Sequence, residues 1–73
     1  MIKEQIIKME ELGWSLDLHL SDEHELFFKR KGEELTIDLD KLKISLINYN
    51  DDELNQLSYE TLKIIMEVLK EYE

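Results

Sequence analysis

The period of the hydrophobic residues changes twice along this chain, and that limits the possible folds more than any other feature. Between Ile2 and Leu12, apolar residues recur every three or four positions, which predicts a helix with one apolar stripe. From Trp14 onward, apolar and polar residues alternate, which is typical of strands with one buried face. A helical period returns at Ser58. The sequence therefore predicts a single domain over residues 1–73, with strands between two helices.

The first helix is expected to run from Ile2 to Leu12. Its apolar stripe consists of Ile2, Ile6, Met9 and Leu12. Gly13 follows the stripe at the position where many helices end in a left-handed residue, a conformation that costs glycine little.

Alternation over Trp14–Leu20 predicts the first strand, and polar residues 21–24 interrupt it. A second strand begins near Leu26. The dipeptide Lys31-Gly32 marks a tight turn, and Leu35–Leu39 alternates again as a third strand.

The expected register supports this interpretation. A turn at Lys31-Gly32 sets Leu26 opposite Ile37, and a turn at Asp40-Lys41 sets Ile37 opposite Ile44. Both turns keep the apolar side chains on one face, whereas a slip of one residue would move a whole strand's apolar side chains to the other face.

The segment Leu42–Tyr49 is either a fourth strand or a loop, because Asp40-Lys41 lacks the Gly or Asn that two-residue hairpins favour. The expected fold class is α+β. It consists of an antiparallel meander of three or four strands, with the N- and C-terminal helices packed on one face.

The second helix is expected over Ser58–Tyr72. Ser58 can cap its N-terminus, and Glu60 in the first turn complements the helix dipole. Ile64 is expected to project away from the core, with Val68 at the edge of the buried face. The stripe expected to face the core contains Leu62, Ile65, Met66 and Leu69, with Tyr59 and Tyr72 at its edges.

Eighteen acidic residues against nine basic ones give a formal net charge of −9. This charge disfavours direct binding to nucleic acid or to anionic lipid, whose phosphates attract Lys and Arg. The chain contains no Cys, which fits a reducing compartment. It also shows no signal peptide and no apolar run of about 20 residues, so no membrane association and a cytoplasmic location are expected.

No motif in the sequence indicates catalysis. His19 and His24 flank a polar stretch with Asp22 and Glu23, but this spacing is weak evidence for a metal site. The basic run Lys29-Arg30-Lys31 is short and is expected to pair with neighbouring acids. The sequence therefore predicts no enzyme activity, no metal and no cofactor.

The leading hypothesis is a protein-binding module whose acidic residues occupy a basic surface of a partner protein, such as a nucleic-acid-binding surface. Acidic residues in the connections are free to meet a partner. A second group is expected on the outer face of the sheet, beside His19, where aromatic and apolar side chains could anchor an interface. The acidic candidates are Asp22, Glu23, Glu25, Asp51, Asp52 and Glu53, and the outer-face candidates are Phe27, Ile47 and Tyr49.

The alternative hypothesis is a homo-oligomer, such as a homodimer, in which the acidity serves only solubility. Its self-complementary patch would be either Phe27, Ile47 and Tyr49 on the sheet or Ile64 and Val68 on the second helix.

The order of elements and the acidity resemble small inhibitor proteins of phages and other mobile elements, among them some anti-CRISPR proteins of type II-A systems. The resemblance spans Ile2 to Tyr72, and Leu12-Gly13-Trp14 and Leu57-Ser58-Tyr59-Glu60 are similar junctions. It implies an inhibitor that mimics the charge of nucleic acid, and it assigns no role to an individual residue.

Overall fold

The computed structural model describes residues 2–48 and 58–73. Within them the chain forms two helices and an antiparallel sheet of four strands in sequential order. This confirms the α+β prediction, with a meander between an N-terminal and a C-terminal helix. The elements are α1 (Lys3–Glu11), β1 (Ser15–Leu16), β2 (Glu25–Arg30), β3 (Glu33–Asp38), β4 (Lys43–Asn48) and α2 (Tyr59–Glu71).

The ends of both helices follow the sequence signals. Gly13 takes a φ of 95° just after α1, and its N–H donates to the carbonyl oxygen of Glu10 at 3.0 Å. At the start of α2, the Ser58 hydroxyl oxygen accepts the backbone N–H of Thr61 at 3.2 Å. Both contacts satisfy backbone groups that the ends of a helix leave without partners.

The first strand is shorter than predicted, because β1 ends at Leu16 and residues 18–20 form a turn. The carboxylate of Asp17 accepts the backbone N–H of His19 at 2.9 Å and that of Leu20 at 3.1 Å. Such local bonds from an Asp side chain compete with a strand and favour a turn. Leu18 is therefore 80% exposed, although the alternation predicted it in the core.

The predicted register of the other strands is confirmed. Leu26 lies opposite Ile37, and Ile37 lies opposite Ile44 on the same face of the sheet. Gly32 occupies the turn between β2 and β3 with a φ of 75°.

The segment after β3 forms a fourth strand, β4, so the loop alternative is excluded for Lys43–Asn48. The preceding turn covers residues 39–42. Leu42 has a φ of 56°, a left-handed conformation that takes the place of the missing Gly or Asn. Tyr49 lies outside the described residues.

The core lies between the two helices and one face of the sheet. Ile2, Ile6 and Leu12 of the predicted first stripe pack against it, half-buried. Because side chains from α1 and α2 join the same cluster as the inner-face residues of the sheet, both helices cover one face. The buried apolar residues are Met9, Trp14, Leu26, Phe28, Leu35, Ile37, Leu39, Ile64, Ile65 and Val68.

The buried face of α2 differs from the predicted one. Ile64 and Val68 are in the core, while Met66 is 67% exposed and Leu62 is more than one-third exposed. The helix has to cover both the sheet and α1, and a 3.7 Å ion pair joins Glu67 to α1. The buried positions are shifted by one residue from the predicted stripe, which turns the buried side by about 100°. Because Ile64 and Val68 are buried, they cannot form the self-complementary surface patch that the homo-oligomer hypothesis placed on this helix.

Candidate functional site

Acidic side chains meet at the end of the sheet where β2 begins and β3 ends. Glu25 is the direct cross-strand partner of Asp38, and both side chains are half-buried on the outer face. Like charges directly opposite one another tend to destabilise a sheet, and Lys43 on the other side of Asp38 offsets part of this repulsion. We use the term acidic end for this pair together with the neighbouring acids of the two adjoining connections, namely Asp22, Glu23, Glu25, Asp38 and Asp40.

The connection into β2 is held by its own acidic residue. One carboxylate oxygen of Asp22 accepts the backbone N–H of His24 at 2.7 Å and that of Glu25 at 3.0 Å. The hydrogen bond from His24, and then the one from Glu25, lower the pKa of Asp22 below its usual 3.8. This side chain therefore remains charged at neutral pH while it orders the connection.

The turn after β3 is built in the same way. A carboxylate oxygen of Asp38 accepts the backbone N–H of Asp40 at 3.0 Å and that of Lys41 at 2.9 Å. Both connections at the acidic end are thus fixed by an Asp side chain, so their carboxylates hold defined positions before any partner binds.

His24 joins the two connections. Its backbone oxygen accepts the N–H of Leu39 at 2.8 Å, and its Nδ1 lies 2.9 Å from a carboxylate oxygen of Asp40. The hydrogen bond to Asp40 raises the pKa of His24 above its usual 6.5, and the neighbouring charge of Glu23 adds to the effect. Its Nε2 lies 3.5 Å from the Glu23 carboxylate.

The acidic end carries exposed carboxylates with a few basic residues beside them. In residues 2–48 and 58–73, no three Asp, Glu or His side chains are placed to hold a metal ion together. Basic residues lie beside the acidic end, because Lys43 is the cross-strand partner of Asp38 and Lys41 follows in the turn. They offset part of the charge, and the exposed carboxylates of Glu23 and Asp40 remain at the surface, where a basic group could reach them.

The structure brings together only some of the predicted site residues. Asp22, Glu23 and Glu25 share the acidic end, while the predicted cluster at 51–53, which comprises Asp51, Asp52 and Glu53, lies outside the described residues. Asp38 and Asp40 belong to the acidic end but were not predicted as site residues. The signal was present in the sequence, since the register that pairs Leu26 with Ile37 also pairs Glu25 with Asp38.

Two residues of the basic run, Lys29 and Arg30 at the end of β2, pair with acids, as expected. Arg30 donates from Nε and Nη2 to one carboxylate oxygen of Glu33, at 3.0 and 2.7 Å, and its guanidinium lies 4.2 Å from the ring centre of Trp14. Lys29 lies 3.1 Å from the Asp17 carboxylate, which lowers the pKa of Asp17, as do the N–H groups of the following turn.

Two of the outer-face candidates, Phe27 and Ile47, line a hollow of about 210 Å³. Phe27 is half-buried and Ile47 is 47% exposed, with Leu20 and Thr36 beside them. Tyr49 lies outside the described residues, and His19 lies in the exposed turn after β1. Two of the three predicted apolar residues thus share one surface.

Comparisons with protein-family models, with curated proteins and with solved structures found no match for this chain. In the described part of the chain, neither helix has both the length and the apolar character needed to cross a bilayer.

Proposed function

We propose that this protein is a small acidic, protein-binding module that inhibits a partner by occupying its basic, nucleic-acid-binding surface. The observation that carries the proposal is the acidic end, where Glu25 and Asp38 lie directly opposite one another. A fold that accepts this like-charge pair regains the cost when cations of a partner lie against it. The proposal places the protein in the cytoplasm and includes an origin in a phage or another mobile element.

The two connections at the acidic end are already ordered in the free protein, and this supports the proposal. Asp22 and Asp38 each fix a turn by two hydrogen bonds to backbone N–H groups. Binding therefore does not have to order these loops, and less of the interaction energy is lost to conformational entropy. A partner that normally holds phosphates would present Lys and Arg side chains to the same carboxylates.

The test compares two variants of equal net charge. The first combines Glu23→Gln with Glu25→Gln at the acidic end, and leaves Asp22 and Asp38 to hold their turns. The control combines Glu4→Gln with Glu11→Gln, which neutralises two exposed acids of α1. Each immobilised protein is used to capture partners from a lysate of the source organism at about 50 mM and about 500 mM salt.

We expect the wild type and the α1 control to retain a nucleic-acid-binding protein at low salt, and to release it at high salt or when DNA or RNA is added. The acidic-end variant should retain at least tenfold less of it. Equal capture by the two variants would refute the role of the acidic end. Capture that neither salt nor nucleic acid reduces would refute the electrostatic mechanism as a whole.

A further inference from the structure

The two edges of the sheet differ in how their backbone groups are satisfied. Beside β2, residues that follow β1 close the edge. Asp17 donates its N–H to the carbonyl oxygen of Phe27 at 2.8 Å, and the N–H of Phe27 donates to the Ser21 hydroxyl at 2.9 Å. The N–H of Asp22 donates to the carbonyl oxygen of Glu25 at 2.9 Å. This edge is therefore not available for a further strand.

The other edge is formed by β4, whose neighbour in the sheet is β3. In an antiparallel sheet the backbone groups of successive residues point to alternate sides. Because Phe27 bonds toward β1, the even-numbered residues of β2 bond toward β3, where their partners are odd-numbered. The even-numbered residues of β3 therefore bond toward β4. The register then directs the N–H and C=O groups of Ile44 and Leu46 away from the sheet. Among the described residues, no strand pairs with this edge.

Little in the sequence of β4 protects this edge. Natural edge strands often carry charged residues, Pro or bulges, and these features prevent another strand from pairing with them. In β4 the one charged residue is Lys43 at the first position, and the following residues, Ile44–Ile47, are uncharged. Ile44 is 42% exposed and Ile47 is 47% exposed, on opposite faces of the strand.

We propose that a second copy of this chain pairs with β4 in antiparallel orientation, with Ser45 of one copy opposite Ser45 of the other. Only registers that place even positions opposite even positions can use the backbone groups that point away from β3. In this register the N–H and C=O of Ile44 both bond to the backbone of Leu46 of the other copy. The two-fold axis repeats this pair, so the junction has four backbone hydrogen bonds. The two sheets join into a single sheet of eight strands. This proposal does not depend on the proposed binding to a basic partner.

Local charges do not oppose a second copy at this edge. Lys43 lies opposite Ile47 of the other copy, whose own cross-strand partner is Glu34, so no two like charges oppose each other across the junction. Antiparallel pairing also places the two acidic ends at opposite sides of the joined sheet. For two chains of net charge −9, β4 is thus a surface where repulsion between copies is low.

Single-cysteine variants test the register, because the chain has no Cys of its own. Ser45 would be in a non-hydrogen-bonded pair with its own counterpart, with a Cα separation of about 4.5 Å that a disulfide can span. With diamide as the oxidant, we expect Ser45→Cys to give mainly disulfide-linked dimer. Ser15→Cys, at an exposed serine of β1, should remain mainly monomeric under the same conditions. Equal cross-linking of both variants, or none at Ser45→Cys, would overturn the proposed register.

Sedimentation velocity over a concentration series tests the dimer without cross-linking. Ser45→Lys places two like charges opposite each other on the axis, and should raise the dimer dissociation constant at least tenfold, whereas Ser15→Lys should leave it unchanged. A wild type that stays monomeric up to about 500 μM would overturn the proposal, because a contact that weak is not a specific interface. A dimer that Ser45→Lys does not weaken would also overturn it.

Discussion

Replacing Val68 by Ala is expected to destabilise the protein far more than replacing Met66 by Ala, although both residues lie in α2. Val68 is 1% exposed and Met66 is 67% exposed. Val68→Ala removes two methyl-sized groups from the core, which costs about 1.6 kcal/mol at ~0.8 kcal/mol per group. The cavity adds on the order of 1 kcal/mol. The free energy of unfolding should therefore fall by about 2–3 kcal/mol.

Met66→Ala deletes a larger side chain that already lies mostly in water. The lost burial is small, and Ala has the higher helix propensity, so the free energy of unfolding should change by less than about 0.5 kcal/mol. The comparison is sharp because the sequence pattern alone predicts the reverse order, with Met66 in the core stripe and Val68 at its edge.

Urea unfolding followed by the fluorescence of Trp14, the only Trp of the chain and a buried one, measures both effects. The m-value should not change between variants, so the shift of the midpoint reports stability. For a domain of this size, the melting temperature of Val68→Ala should fall by roughly 10–20 °C. Equal losses in both variants, or a larger loss for Met66→Ala, would show that α2 buries the other face.

Two further predictions follow from hydrogen bonds at the surface. Because Asp40 raises the pKa of His24, the stabilisation from this pair is fully present below the unfolded value near 6.5 and is lost as pH rises through the folded pKa. The wild-type melting temperature should therefore rise from pH 8 to pH 6 by more than that of His24→Gln, and equal rises would contradict the contact. Ser58→Ala should cost about 1 kcal/mol by removing the N-cap of α2. Ser15→Ala, at an exposed position of β1, should cost less than half as much in the same urea titration, and equal costs would mean that the cap contributes nothing.

The sheet could be predicted from the sequence because two independent signals agree. Alternation gives the buried positions of each strand, and the turn at Lys31-Gly32 gives the register that aligns Leu26 with Ile37. The turn at 39–42 lacks a strong sequence signal for a turn, but it still has to place Ile37 opposite Ile44. The need to keep Ile37 and Ile44 on one face outweighs the unfavourable φ of Leu42.

The first strand shows where alternation fails. Leu18 and Leu20 continue the period of two, but the Asp17 carboxylate binds the N–H groups that would continue the strand. A side chain two or three residues away provides these bonds without closing a long loop, whereas a longer strand needs partners distant in sequence. Asp directly after a short apolar alternation is therefore a signal to end the strand.

The helix face could not be predicted because α2 carries apolar residues on more than one side. Two helical stripes are available, one with Leu62 and Met66 and another with Ile64 and Val68. The choice depends on the side from which α1 approaches, which is a tertiary contact and leaves no trace in the periodicity of α2 itself.

The two proposed contacts of this protein should respond to salt in opposite ways. Binding of the acidic end to a basic surface weakens as the Debye length falls from about 8 Å at physiological ionic strength to about 3 Å at 1 M. Pairing through β4 brings together two chains of net charge −9, so the same screening should strengthen it. A dimer that dissociates as salt rises would mean that ion pairs, and not the backbone of β4, hold the copies together. Measuring both equilibria over one salt series therefore separates the acidic end from the sheet edge without any substitution.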